Sequence, residues 1–454
     1  MRMKGPRMPA EVGRPSRARW VVLGWLCSLS FLLYVDRVCI GQAEQAIREE
    51  LQLTKAQMSW VFGAFTLAYG LFEVPTGHWG DRFGSRRVLV RIVLWWTAFT
   101  ALTGAAFSWI TLVAVRFLFG AGEAGAFPNT ARVVTRWFAP AERGFVRGAV
   151  MTMSFLGAAV APVLAALLIE LVGWRATFVV FGTAGVFWAW GFYQWFRDDP
   201  ADHPSVNTAE LAHIRGPFED AEKAGDRTAG HVPRQSLSWK RVLLSSNTWL
   251  MGGVMTVFSV EFYTIFQWFP TYVKETRMAG ELLSGAYTGV VMAAGAAGCL
   301  LGGLFVDWVN RRTAERNWTR RLCGAVPLGL AALATAGLSQ ARTDLQTVAC
   351  CAAALFFTEF AVPNWWTIVA EISGRHGAAL WGLMNSMGAL GVILVTLAVG
   401  YYVDHYAPRL GVIPVWQNVF QGVCIALALG MMMNLSVCAT RPIAPGRGEE
   451  KPWC

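Results

Sequence analysis

The stretch Gly77-His-Trp-Gly-Asp81-Arg82-Phe-Gly84-Ser-Arg86-Arg87 has a partial echo later in the chain, Gly303-Leu-Phe-Val-Asp307-Trp-Val-Asn-Arg311-Arg312. A Gly, an Asp and a closing pair of Arg recur at a shift of about 226 residues. Each copy ends an apolar stretch, Trp60 to Trp79 in one case and Ala286 to Val306 in the other. Working outward, similar stretches appear at Ala18 to Ile40, Val88 to Phe107 and Phe178 to Phe196. A helix of about 20 residues crosses the roughly 30 Å hydrocarbon layer of a bilayer. Counting such stretches predicts twelve spans, six on each side of the one long polar segment, Arg197 to Arg241. An internal repeat of this kind predicts two similar halves. The expected divisions are a tail at 1–19, a six-helix bundle at 20–196, a linker at 197–245, a second six-helix bundle at 246–438 and a tail at 439–454. The linker is too polar to span and is expected to carry a short helix near Thr208 to Ile214.

Composition agrees. Of 454 residues, 55% are hydrophobic and 15% are charged, against about 25% charged in soluble domains. The net charge of +10 invites a nucleic-acid partner, but the placement of the basic residues gives a better account. With the N-terminus in the cytoplasm, thirty of the 39 Lys and Arg fall in cytoplasmic segments, seven fall outside, and Arg37 and Arg116 lie within spans. That bias is the positive-inside rule. It predicts an inner (cell) membrane protein with both termini cytoplasmic and no nucleic-acid partner. The first span has a long basic lead-in, a long apolar run and no small-x-small site, so it reads as a retained span rather than a cleaved signal peptide. Nine cysteines are present, and Cys27, Cys299, Cys323 and Cys424 sit in apolar stretches. They read as small membrane hydrophobes, and no CxxC or Cys/His cluster points to a metal or cofactor. No GxSxG, HExxH or Walker loop points to an enzyme.

Gly77 to Arg87 fits the GxxxDRxGxRR loop signature of the major facilitator superfamily at every fixed position, and Arg116-Phe-Leu-Phe-Gly120-Ala-Gly122 resembles that superfamily's RxxxGxG motif in span 4. A solvated basic loop obeying the topology rule explains Arg86 and Arg87 as well, but not Asp81 or the two glycines. The resemblance implies an all-α membrane fold of twelve helices in two pseudo-symmetric six-helix bundles. It also implies alternating access about a midplane site and a gating latch made of Gly77, Asp81, Arg82, Gly84, Arg86 and Arg87.

Ionisable residues inside spans cost several kcal/mol unless they find partners or line water. The first half has Asp36 and Arg37 in span 1, Glu73 in span 2, and Arg116 and Glu123 in span 4. Seven residues separate Arg116 from Glu123, so they share a helix face about 10 Å apart along the axis. Asp36 and Arg37 fall at a similar depth, so two acids and two bases are expected to line one chamber. An arginine fork matches a carboxylate. An anion that neutralises it favours protonation of a nearby acid, which is coupling by linkage. The competing structural reading is a set of static ion pairs, for example Asp36 with Arg116. Glu73 reads as a helix-end acid.

Further motifs sharpen the resemblance. Tyr34-Val-Asp36-Arg37, Arg136-Trp-Phe-Ala-Pro140-Ala-Glu142-Arg143-Gly144, Asp199-Pro200-Ala-Asp-His203-Pro204 and Gln267-Trp268-Phe269-Pro270-Thr-Tyr272 are similar to segments of the anion:cation symporter family, which includes sugar-acid transporters. The resemblance implies proton-coupled symport of a small organic anion by a monomer in the bilayer. Asp36 and Glu123 would carry protons, Arg116 would tune Glu123, and Arg37 would anchor a carboxylate. Tyr69, Trp366 and Asn385 would contact substrate, although Tyr and Trp are common in membrane helices and Asn385 could simply bond a neighbouring helix. The chain departs from the pattern at Glu261 and Glu359, acids where neutral polar groups are usual, and at Phe262. If these acids face the cavity they add hydrogen-bond acceptors, an amine site or a second proton site; otherwise each is a local structural acid. The rival readings are a drug:proton antiporter of the same superfamily, whose span 5 motif is poorly matched by Gly157 to Ala166, and a membrane sensor that does not transport.

Overall fold

The computed structural model describes residues 15–139, 142–223, 239–313, 316–373 and 377–439. The helices in chain order are α1 (Ala18–Glu50), α2 (Lys55–Phe83), α3 (Ser85–Thr103), α4 (Trp109–Glu123), α5 (Ala126–Trp137), α6 (Arg143–Trp195), α7 (Thr208–Lys223), α8 (Trp239–Leu244), α9 (Ser246–Arg277), α10 (Glu281–Arg312), α11 (Arg316–Gly337), α12 (Asp344–Ser373), α13 (Gly377–Leu410) and α14 (Val412–Ser436). Nine of the described helical segments are long and apolar enough to cross a bilayer by composition. Geometry recovers twelve. α6 has 53 residues, about 80 Å if straight, and it folds back at Gly173, where φ is 80° and ψ is 162°. Only glycine adopts that backbone at little cost, so α6 supplies two spans. α2 and α3 are the other two; α2 carries Glu73 within its apolar run, and α3 carries Arg86, Arg87 and Arg91 within its 19 residues. α4 and α5 together form one span, Trp109–Trp137, broken at Ala124 and Gly125 because Pro128 has no N–H for the carbonyl four residues back.

The two halves repeat each other's packing. In the first, α1 packs on both parts of α6, α2 on α4, and α3 on α4 and α6; in the second, α9 packs on α13 and α14, α10 on α12, and α11 on α12 and α14. The halves meet where α2 packs on α13 and α6 on α10. The outer surface is apolar: Phe107 is 77%, Phe187 75% and Leu345 79% exposed. Such a surface suits lipid as its solvent.

The end where α1 joins α2 is here called the far end, and the end that carries residues 197–245 the linker end. Polar contacts tie the halves together at the far end. Asp404 of α13 accepts from the backbone N–H groups of Lys55 (3.1 Å) and Ala56 (2.6 Å), capping α2 across the interface. Glu275 of α9 pairs with Lys55 (2.8 Å) and Arg48 (3.3 Å). Thr271 donates to Glu44 (2.6 Å), and Lys274 donates to the Gln42 carbonyl (2.9 Å).

At the linker end, α7 begins at Thr208 as expected and runs on to Lys223. Its Glu210 is fully buried and accepts from the Ala18 and Arg19 backbone N–H groups at 3.2 Å each. A carboxylate there satisfies the first free N–H groups of α1 and complements its dipole. Among the described cysteines, Cys438 departs from expectation in being disulfide-bonded, whereas Cys27, Cys39, Cys299, Cys323, Cys350, Cys351 and Cys424 are free.

Candidate functional site

The four charges expected from spans 1 and 4 lie together in the interior. Asp36 is 2%, Arg37 8%, Arg116 2% and Glu123 0% exposed. Their pairing differs from the expected one. Arg37 on α1 donates Nε (2.8 Å) and Nη2 to Glu123 Oε1, forming the ion pair of the cluster. Asp36, next to it in sequence, points to another face, because successive helical residues do not share one. Its carboxylate accepts from Trp96 Nε1 of α3 at 3.1 Å. Arg116 bonds to neither acid. Its Nε and Nη1 have no hydrogen-bond partner, and its guanidinium stacks on Phe119 (4.3 Å) and Phe65 (5.3 Å). The static Asp36–Arg116 pair is therefore not the arrangement found.

Glu123 is the last residue of α4, at the break before α5. Its Oε2 has no hydrogen-bond partner. Arg37 occupies an aromatic collar in which Tyr34 (5.1 Å), Phe65 (5.2 Å) and Tyr69 (5.0 Å) face its guanidinium. Tyr263 of α9 approaches the same group from the second half, so the pair sits between the two bundles. Such rings attract a desolvated cation with about 0.5–2 kcal/mol each. The site can offer a carboxylate a planar, partly desolvated fork, provided Glu123 gives it up.

The other expected site residues are spread along the interior. Tyr69 belongs to the collar. Trp366 and Asn385, expected to contact substrate, are exposed on the linker side of the cluster: Trp366 is 51% exposed and stacks on Trp381 at 4.0 Å. The structure does not bring them to Arg37. Glu261 and Glu359 are buried on α9 and α12. Glu73, read as a helix-end acid, is half-buried on α2 within electrostatic reach of Arg37. Of the latch residues, the side-chain environments of Gly77 and Asp81 lie outside the described part. Arg82 and Arg87 are exposed. Arg86 is bound by the end of α6 and the start of the linker: its backbone N–H donates to Asp198 at 3.0 Å and its side chain to the Tyr193 carbonyl. Gly84, at φ 83°, lies against Asp198, where a Cβ would come within 2.6 Å of a carboxylate oxygen. The glycine of that motif answers a local backbone requirement.

Sequence reasoning passed over several members of the site, Tyr34, Phe65, Trp96, Phe119 and Tyr263 among them. Tyr34 stands three residues before Arg37 and so shares its face, a spacing that could have found it. Trp96 and Tyr263 come from other helices, and no local pattern links them to the cluster.

A profile of the Major Facilitator Superfamily matches residues 26–396. The chain is 30% identical over 388 residues to the probable sulfoacetate transporter SauU of Cupriavidus necator, covering 86% of this chain and 88% of that protein. It is 30% identical over 414 residues to the D-galactonate transporter of Escherichia coli O6:H1, covering 89% and 94%. Among solved structures, a bacterial homolog of the human lysosomal transporter Spinster, inward-facing and unoccupied, superimposes with a TM-score of 0.71 at 18% identity, covering 92% of this chain and 96% of that one.

Proposed function

The chain belongs to the Major Facilitator Superfamily, and on that premise we propose that it carries a small organic anion across the membrane together with a proton. The relatives named above are a probable sulfoacetate transporter and a D-galactonate transporter, and both compounds are carboxylates. The observation that carries the reading is the Arg37–Glu123 pair, buried between the halves with Glu123 Oε2 unpartnered.

The steps follow from competition for one guanidinium. A substrate carboxylate arriving at Arg37 takes over the fork that Glu123 Oε1 occupies. Glu123 is then a buried carboxylate that has lost its counter-charge, and a proton neutralises it. Substrate and proton therefore favour each other's binding, as linkage requires. With both aboard, the cluster has no extra net charge to drag through the membrane interior, and the halves rock about it. Asp36, held by Trp96 and within electrostatic reach of Arg116, is a second carboxylate able to take part. The far-end contacts hold that side shut, so exchange in this state is by the linker end, and the bias of basic residues toward that end supports reading it as the cytoplasmic side.

The test is a thermal-shift screen of purified protein against aldonates, uronates, aromatic acids, sulfonated carboxylates and dicarboxylates, followed by uptake into liposomes. Uptake of the stabilising acid is expected to rise with an inward proton gradient. Uptake driven by an outward proton gradient would replace symport with antiport.

A further inference from the structure

The second half buries two acids that this mechanism does not use. Glu261 of α9 is fully buried and Glu359 of α12 is 2% exposed. They lie within electrostatic reach of each other. Both carboxylate oxygens of Glu261 are without a hydrogen-bond partner, and so is the hydroxyl of Thr358, which approaches Glu261 from α12. The other titratable groups that face the pair are Cys351 on α12, Cys299 on α10 and Tyr34 on α1; none is a cation. The buried bases of this half are engaged elsewhere, Lys274 with Glu281 (2.6 Å) and Arg320 with Glu371 (2.8 Å).

Charge accounting separates this cluster from the one in the first half. There, two arginines balance two acids. Here, among the described residues, two acids have no counter-charge, and an unpaired carboxylate in the membrane interior costs several kcal/mol. Something positive must neutralise at least one of them. A hard metal cation takes about six oxygen ligands, and the cluster offers two carboxylates and one hydroxyl. A proton needs only one carboxylate oxygen and an acceptor. α12 offers a candidate acceptor: Pro363 has no N–H for the carbonyl of Glu359, four residues earlier, so that carbonyl lacks its usual i+4 donor.

We propose that Glu261 and Glu359, with Thr358, form a second proton-binding site in this protein, located in the second half and independent of Glu123. The site deepens the symport reading, because it gives the second bundle a proton of its own, but its occupancy does not depend on any substrate. Infrared spectroscopy of the purified full-length protein, without substrate, tests it. The wild type is expected to show a protonated-carboxyl C=O band at neutral pH. Glu261→Gln and Glu359→Gln are each expected to weaken or shift that band, and Thr358→Val to shift its frequency. Glu123→Gln is expected to leave this component in place, so failure here is distinguishable from failure of the symport reading. Because Gln mimics a protonated Glu in shape and charge, both variants are expected to fold with nearly wild-type thermal stability. A band untouched by either Gln variant, or one abolished by sodium at constant pH, would overturn the proposal. If a Gln variant does not fold, the Thr358→Val shift decides: no shift counts against the site.

Discussion

At the scale of the residue, the question is what one guanidinium does inside a membrane. Arg37 is held by one oxygen of Glu123 and three aromatic rings. Removing one partner of a buried pair leaves the other uncompensated, at a cost of about 3–5 kcal/mol. Arg37→Ala is therefore expected to abolish uptake and to lower thermal stability unless Glu123→Gln is added. Uptake by Arg37→Ala at wild-type affinity would remove Arg37 as the carboxylate anchor. Arg37→Lys keeps the charge but loses the fork, and about a tenfold or greater loss of affinity is expected in direct binding. Glu123→Gln can still release Arg37 to a substrate but cannot exchange a proton. It is expected to retain counterflow exchange while losing accumulation driven by a proton gradient; full accumulation would assign the coupling proton to another group.

At the scale of the element, the linker and the turn after α2 are fastened by specific backbone demands. Gly84→Ala meets both a positive φ and the Asp198 carboxylate. A cost of about 1–3 kcal/mol is expected, read as a lower unfolding temperature. Near the start of the linker, His203 accepts from the Ser205 N–H at Nδ1 (3.1 Å), lies 3.0 Å from the Trp195 carbonyl through Nε2, and packs on the Trp137 and Trp195 rings. Burial lowers its proton affinity below the ordinary histidine range, and the hydrogen bond to Trp195 only partly offsets that. The folded linker therefore favours the neutral ring. Its contribution to stability is complete above the ordinary histidine pKa of about 6.5 and is lost as the pH falls below it. Limited proteolysis within residues 197–223 is expected to accelerate between roughly pH 6.5 and 5, and a His203→Gln variant is expected to lose most of that pH dependence; an identical profile in the variant would assign the effect to other groups.

At the scale of the whole molecule, the halves are latched at the far end by Asp404 on the α2 N-terminus and by Glu275 on Lys55 and Arg48. These contacts belong to one arrangement of the halves only, so weakening them acts on the balance between states. Asp404→Ala is expected to cost this arrangement about 1 kcal/mol through the lost cap, or roughly a fivefold shift in population. Cysteines placed near Trp366 and Asn385 on the linker side are expected to react more slowly with a water-soluble maleimide in that variant. Unchanged labelling would mean that the far-end contacts do not set the balance.

Much of this protein is legible along the chain. Twelve apolar stretches, the bias of thirty basic residues to one side and the repeated Gly-Asp-Arg-Arg pattern follow from local composition, because a bilayer requires each span to satisfy its own backbone. The candidate acids and bases are legible too, since a charge in an apolar run stands out. Which charge meets which was decided by tertiary structure. One residue along a helix turns a side chain by about 100°, so Asp36 turns to Trp96 while Arg37 turns to Glu123. Only the packing of α9 against α1 brings Tyr263 to Arg37, and only the packing of α12 against α9 brings Glu359 near Glu261. Insertion into a membrane is governed by what each segment carries, whereas electrostatic neighbourhood depends on helices far apart in sequence.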